Sequence, residues 1–573
     1  MDHVFFLSRG GWKRACEEGV YDLIIVGTGF CGLAVAHRAL ERDPSCRILM
    51  VERGPFFLPE HFQNLPLPFV NTLGGLSETF PWTLAASTQS GADGPVHWQH
   101  GMVPFFGGRS TLWSAWCPRP DRNEFHGWPE ATVRAAEANF KAAEEMLRVV
   151  RADSIDQSRP EEELRRLQRQ RPIYGALQMC AQRLLEAGRA NMPAVYRSHA
   201  APLAASGRGD GLDFQKYSTP GALLELVMQQ RERSERGDGA PLHIVTECVV
   251  ERVVQQEGRA TALLTSRGVL PLGDAKLVLA MGTLPPTTLV RNSFPHMARA
   301  GGRFSAHFIS SIVARVPRVA LDPNGSFGDL EIGACYVAGK GDDWTQQFHI
   351  QLSALSSREP QRDAARALRY MPDVVATASP AQLRCSQDHV VFVCAVLGEL
   401  NADNPDSWFR ANPDDPDPTT NSLLRVKVGE KDLATWEVMD ETTFQMLEEV
   451  LSPNGPGQLE YWHGTPDEGT WSTRRPDAAA RRVDALVHES STLHIGEGDD
   501  APVDLDYKLR GTHNVYVTGG GLWPQGGSWN PTMTMVALAM DLADRLVPQR
   551  NATAPDVVEP VTIGDPSDPI PLT

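Results

Sequence analysis

The chain has 573 residues, too many for one simple core, so at least two domains are expected. An apolar fraction of 42% sets aside disordered and fibrous classes. With 54 Lys and Arg against 71 Asp and Glu, the net charge of −17 argues against nucleic acid and anionic membrane surfaces as partners. Nine scattered cysteines without a CxxC pair suggest neither a zinc ribbon nor a disulfide scaffold, and no metal is expected. The segment after Met1-Asp2-His3 has no basic leader, and no apolar run is long enough to span a membrane. A cytoplasmic protein is the expectation, with its oligomeric state left open.

Residues 21–27, Tyr-Asp-Leu-Ile-Ile-Val-Gly, read as a buried strand ended by glycine. The motif Gly27-Thr28-Gly29-Phe30-Cys31-Gly32 follows, then an alanine-rich helical stretch, then the strand Arg47–Val51 with Glu52 at its end. This is the dinucleotide fingerprint in its proper context. Gly27 permits the tight turn, Gly29 lets backbone approach a pyrophosphate, and Gly32 lets helix pack on strand. Glu52 stands where a carboxylate accepts from a ribose. The motif alone does not separate FAD from NAD.

Residues 54–95 look irregular, and His97 and His100 come next. The stretch Gly107-Gly108-Arg109-Ser110-Thr111-Leu112-Trp113 places adjacent glycines before a hydroxyl pair, which suits backbone passing close to a flat or charged ligand. Residues 130–235 are largely helical in pattern, with a charged run at 160–166 read as a solvated face. Core strands return at 242–264 and at Lys276–Thr283. Strand-like runs at Ile309–Arg315, Phe348–Leu352 and Val390–Val396 suggest a sheet that walls a pocket. His307 is read as structural.

Near the C-terminus, His488-Glu489-Ser490-Ser491-Thr492 precedes Val515–Gly521 and Asn530-Pro531-Thr532-Met533-Thr534. The apolar positions from Met533 to Leu546 repeat at helical spacing. Asn530 fits the N-cap and Pro531 the first turn, so the helix start offers free N–H groups and partial positive charge.

Together, the fingerprint at 27–32, the 107–113 stretch and the 530–534 helix start resemble the GMC (glucose–methanol–choline) flavoprotein family. The nearest branch is the one containing pyranose 2-oxidase. That branch carries Ser-Thr-His-Trp with its His bonded to flavin. Here Leu112 stands in that place, so the resemblance implies FAD held noncovalently. It also implies that Arg53, Val250, the Ala280-x-Gly282 turn, Gly519, Gly520 and Pro531–Thr532 contact the cofactor. His488 takes the catalytic place, with His494 as the rival under a shifted alignment, and Asn530 holds the same substrate oxygen.

The implied architecture is α/β. A Rossmann-like FAD-binding domain from 18–130, 236–300 and 485–548 is interleaved with an α+β substrate domain on an antiparallel sheet over 301–484. Residues 131–235 are expected as a helical insertion or cap, and 549–573 as a disordered tail. The implied reaction oxidises a CH–OH group to a carbonyl by hydride transfer to flavin N5, with His488 as base. Its partners are a small-molecule alcohol (sugar, aromatic or secondary-metabolite) and oxygen or another acceptor. The alternative is a lyase that keeps FAD without redox turnover. A light-driven decarboxylase and a non-catalytic FAD-binding protein are weaker rivals.

Overall fold

A computed structural model describes residues 2–18, 20–65, 103–155, 172–206, 214–372 and 378–550. His97, His100, the 160–166 charge run and residues from 551 onward lie outside these. The fold is mixed α/β, with one parallel and one large antiparallel sheet.

The parallel sheet has five strands. From one edge these are Val515–Val517, Lys276–Leu279, Leu23–Val26, Ile48–Val51 and Leu242–Val245. All four residues of Leu23–Val26 and of Ile48–Val51 are buried, as expected for strands covered on both faces. Helix Phe30–Arg42 covers one side, and Thr532–Leu546 packs against it. Successive connections leave Leu23–Val26 toward opposite edges of the sheet. Beyond the carboxyl ends of its central strands lies the crevice where such sheets bind ligands.

The antiparallel sheet has eight strands, with Ser305–Pro317, His389–Glu399, Gln347–Ser357 and Leu330–Lys340 side by side at its centre. Side chains alternate across a strand, so register decides what faces the cavity. Ile309 pairs with Leu397, and Ala395 with Gln351. His307 pairs with Glu399, and His349 with Leu397. These residues share one face. The opposite face carries Phe392, Cys394 and Val396 into a core with helix Glu430–Gln445.

Residues 131–235 are more than a helical cap. The strand Val195–Ala200 inside them pairs with Leu330–Lys340 and joins the antiparallel sheet. Helix Glu130–Met146 packs on the final helix, and Thr219–Arg236 packs on Phe30–Arg42. The helical pattern concealed a strand because Val195–Ala200 buries only its two ends. Among the described residues no helix is long and apolar enough to cross a membrane.

Candidate active site

One cavity of about 360 Å³ lies between the two sheets. Gly27, Gly29, Glu52, Arg53, Gly108, Leu112, Trp113, Val250, Ala280, Gly282, Gly519, Gly520 and Pro531–Thr532 line it, together with His488 and Asn530. Gly32, Gly107, Ser110 and Thr111 stand behind the wall. A Cβ on Gly32 would lie 2.2 Å from the Gly27 carbonyl, so its role is helix-on-turn packing. Gly107 holds a left-handed turn at φ 91°, and its N–H donates to Thr28 Oγ1 at 3.0 Å. Ser110 donates to the Gly107 carbonyl, and Thr111 to that of Gly108. Both hydroxyls therefore brace the turn itself.

At the dinucleotide end, Gly27 sits at φ 106°, where a Cβ would meet the Ala280 carbonyl at 2.4 Å. A Cβ on Gly29 would meet nothing within 4 Å, because it would project into the cavity. Gly29 also caps helix Phe30–Arg42, whose first N–H groups have no intrahelical partner. Glu52 is buried, and burial raises its pKa. Thr28 donates to it from Oγ1 at 2.5 Å and from N at 3.1 Å, and Gly54 N donates at 3.1 Å. Arg53 makes no ion pair among the described residues, and burial lowers its pKa. A glycine cradle, a helix start and a half-buried arginine suit an anionic dinucleotide, so the residues present fit FAD.

At the other end, His488 lies near the end of the strand Arg482–Ser490. The pairing with Ser305–Pro317 slips here: Ser305 opposes Ser490, while His307 opposes Val487. The extra residue makes a β-bulge, and His488 takes φ 62° within it. Positive φ is uncommon for a residue with a side chain, and such strain clusters at functional sites. The bulge turns His488 into the cavity. His494 does not line it; that ring is buried, and burial pushes its pKa down to about 4.

His307, read from sequence as structural, is fully buried beside the bulge. Its Nδ1 lies 2.9 Å from His488 Nδ1, and its Nε2 lies 2.8 Å from the Gly527 carbonyl. Burial pushes its pKa down to about 4. Asn530 is not the N-cap. Pro531 holds that position, and the Asn530 Oδ1 accepts from Gln351 Nε2 at 2.9 Å. The shift is a single residue, and the helix start still borders the cavity.

Sequence reasoning also missed an ion pair. Arg109 grips Glu489 through two nitrogens, at 2.7 and 3.0 Å. It ties the 107–111 turn to the residue beside His488. Ile309, Ala395 and Leu397 supply an apolar wall next to these polar groups.

Residues 333–539 match the family model described as GMC oxidoreductase, a span that includes Gln351, His488 and Asn530. None of the curated proteins compared matches the sequence. The crystal structure of pyridoxine 4-oxidase from Mesorbium loti is similar at a TM-score of 0.51 and 15% identity, over 92% of this chain and 99% of that one. At that identity the likeness is one of fold. The chain thus matches the GMC oxidoreductase model over residues 333–539, shares its fold with a solved oxidase, and is an oxidoreductase.

Proposed function

We propose that the chain binds FAD noncovalently and oxidises the CH–OH group of a small-molecule alcohol to a carbonyl. The observation that carries this reading is convergence. His488 and Asn530 enter from one side the cavity that the dinucleotide turn enters from the other. Bound FAD supplies the hydride acceptor. An alcohol is a very weak acid, so its proton must leave in concert with the hydride. Imidazole titrates near neutrality and suits that proton. His488 takes it, while Asn530 holds the same oxygen. The N–H groups at the start of Thr532–Leu546 favour negative charge nearby. Ile309, Ala395 and Leu397 exclude water from the reacting carbon. The Ser110-Thr111-x-Trp113 pattern supports the branch containing pyranose 2-oxidase, and Leu112 in place of that branch's histidine supports noncovalent FAD.

The test is an anaerobic screen of sugar, aromatic and secondary-metabolite alcohols for flavin bleaching. Air is then admitted to watch for recovery and peroxide. An alcohol that bleaches the flavin is the expected result. Cleavage of a hydroxynitrile with no bleaching by any alcohol would replace this reading with a lyase. Acid precipitation tests the noncovalent link: yellow colour should stay in the supernatant.

A further inference from the structure

On the inner face of the antiparallel sheet, Gln351 in the cavity wall and His307 and His349 behind it are polar side chains that the proposed reaction does not itself consume. His307 comes first. Its Nε2 faces the Gly527 carbonyl at 2.8 Å, and a carbonyl only accepts, so that nitrogen carries a proton. Burial keeps the ring neutral, and a neutral imidazole has a single N–H. Its Nδ1 therefore holds a lone pair. The contact to His488 Nδ1 at 2.9 Å is a hydrogen bond only if His488 donates. In neutral His488 the proton thus sits on Nδ1, and Nε2 is the acceptor.

Gln351 plays the matching part for Asn530. Its amide nitrogen lies 2.9 Å from Asn530 Oδ1 and 3.2 Å from His349 Nε2. Two N–H bonds meet two acceptors. His349 is fully buried and held neutral by burial. Since Gln351 donates to Nε2, the single ring proton of neutral His349 sits on Nδ1. In this orientation the oxygen of Asn530 is held against Gln351, and its NH₂ is left for the cavity.

We propose that His307 and Gln351 are positioning residues that set the polarity of the reacting pair, His307 keeping His488 Nε2 an acceptor and Gln351 keeping Asn530 Nδ2 a donor. A hydroxyl matches this pattern: its O–H points to His488 and its lone pair accepts from Asn530. A carbonyl can accept from Asn530 but has no proton to offer neutral His488, so once the ring has shed the proton it took, the pair favours alcohol over product. The inference rests on the proposed roles of His488 and Asn530.

The experiment compares flavin-loaded parent, His488→Ala, His307→Leu, His307→Asn and Gln351→Glu. Two readouts are followed: anaerobic flavin reduction, and histidine-ring ¹⁵N shifts assigned by difference from His488→Ala. In the parent, His488 should carry its proton on Nδ1. His307→Leu should mix the two tautomers and slow reduction about 10–100-fold, the range for losing a histidine's orienting partner, with substrate affinity little changed. His307→Asn restores an acceptor and should recover much of the rate. Gln351→Glu offers a carboxylate that cannot donate to Asn530, and should slow reduction while flavin is retained. A parent proton on His488 Nε2 overturns the proposal, even if the leucine variant does not fold. So does parental reduction by His307→Leu while His488→Ala is slow. Undiminished reduction by His488→Ala would instead overturn the proposed reaction.

Discussion

The parallel sheet and the antiparallel sheet wall the same cavity by different means. The first works through backbone. Gly27, Gly29 and Gly108 bring main chain to the cavity edge, and the few side chains that matter, Thr28 and Glu52, are bonded within a short stretch of sequence. The second works through side chains on long strands, whose partners come from far away. His488 meets His307 across 181 positions, and Asn530 meets Gln351 across 179. A nucleotide is a large, constant ligand that backbone can grip. A reacting hydroxyl is two atoms wide and needs donors and acceptors aimed individually.

Substitutions can break this division of labour. The largest effect is expected from His488→Ala, which should lower the rate of flavin reduction by about 10²–10⁴-fold and leave flavin absorbance intact. Stopped-flow reduction under nitrogen checks it. Loss of flavin with the rate would mean that the two lobes are not separable in this way. Next, Gly32→Val should push a side chain into the Gly27 carbonyl and destabilise the protein by about 1–3 kcal/mol. Urea midpoints and flavin content per mole should fall together.

A third prediction concerns pH. Burial raises the Glu399 pKa to about 8, while its carboxylate accepts from Gly527 N at 2.9 Å. The unfolded value is about 4.3, so between there and 8 unfolding releases a proton. Stability is therefore greatest at the acid end and falls as pH rises, by at most about 1.4 kcal/mol per pH unit. Glu399→Gln keeps an acceptor and removes the slope. Melting curves of parent and variant should agree near pH 4 and separate by pH 8, with the variant the more stable. The smallest effect is expected from Glu489→Gln. It uncouples the 107–111 turn from the bulge, but Arg109 still reaches water, so about 1 kcal/mol is lost. Denaturant midpoints measure it.

The parallel lobe was legible because its signals are local. Strand, glycine turn, helix and terminal acid occupy residues 23–52, and each is a short-range pattern. Resemblance singled out His488 and Asn530, and both border the cavity. What supports them was not. No periodicity marks His307 as the neighbour of His488, since a one-residue bulge sets that contact. Arg109 and Glu489 are 380 positions apart, and each alone looks like an ordinary charge. The strand Val195–Ala200 was hidden for a related reason: its pairing partner, not its own composition, makes it a strand.

The order of strands in the parallel sheet also bears on how the protein is made. The edge strand Val515–Val517 lies against Lys276–Leu279, and helix Thr532–Leu546 is clipped to Phe30–Arg42 by Asp544 bridging Arg38 and Arg42. A ribosome that has delivered the first 500 residues has therefore exposed an incomplete sheet with an open edge and an uncovered helix. The parallel sheet is complete only once translation passes that point, and until then its open edge and bare helix are surfaces prone to mispairing.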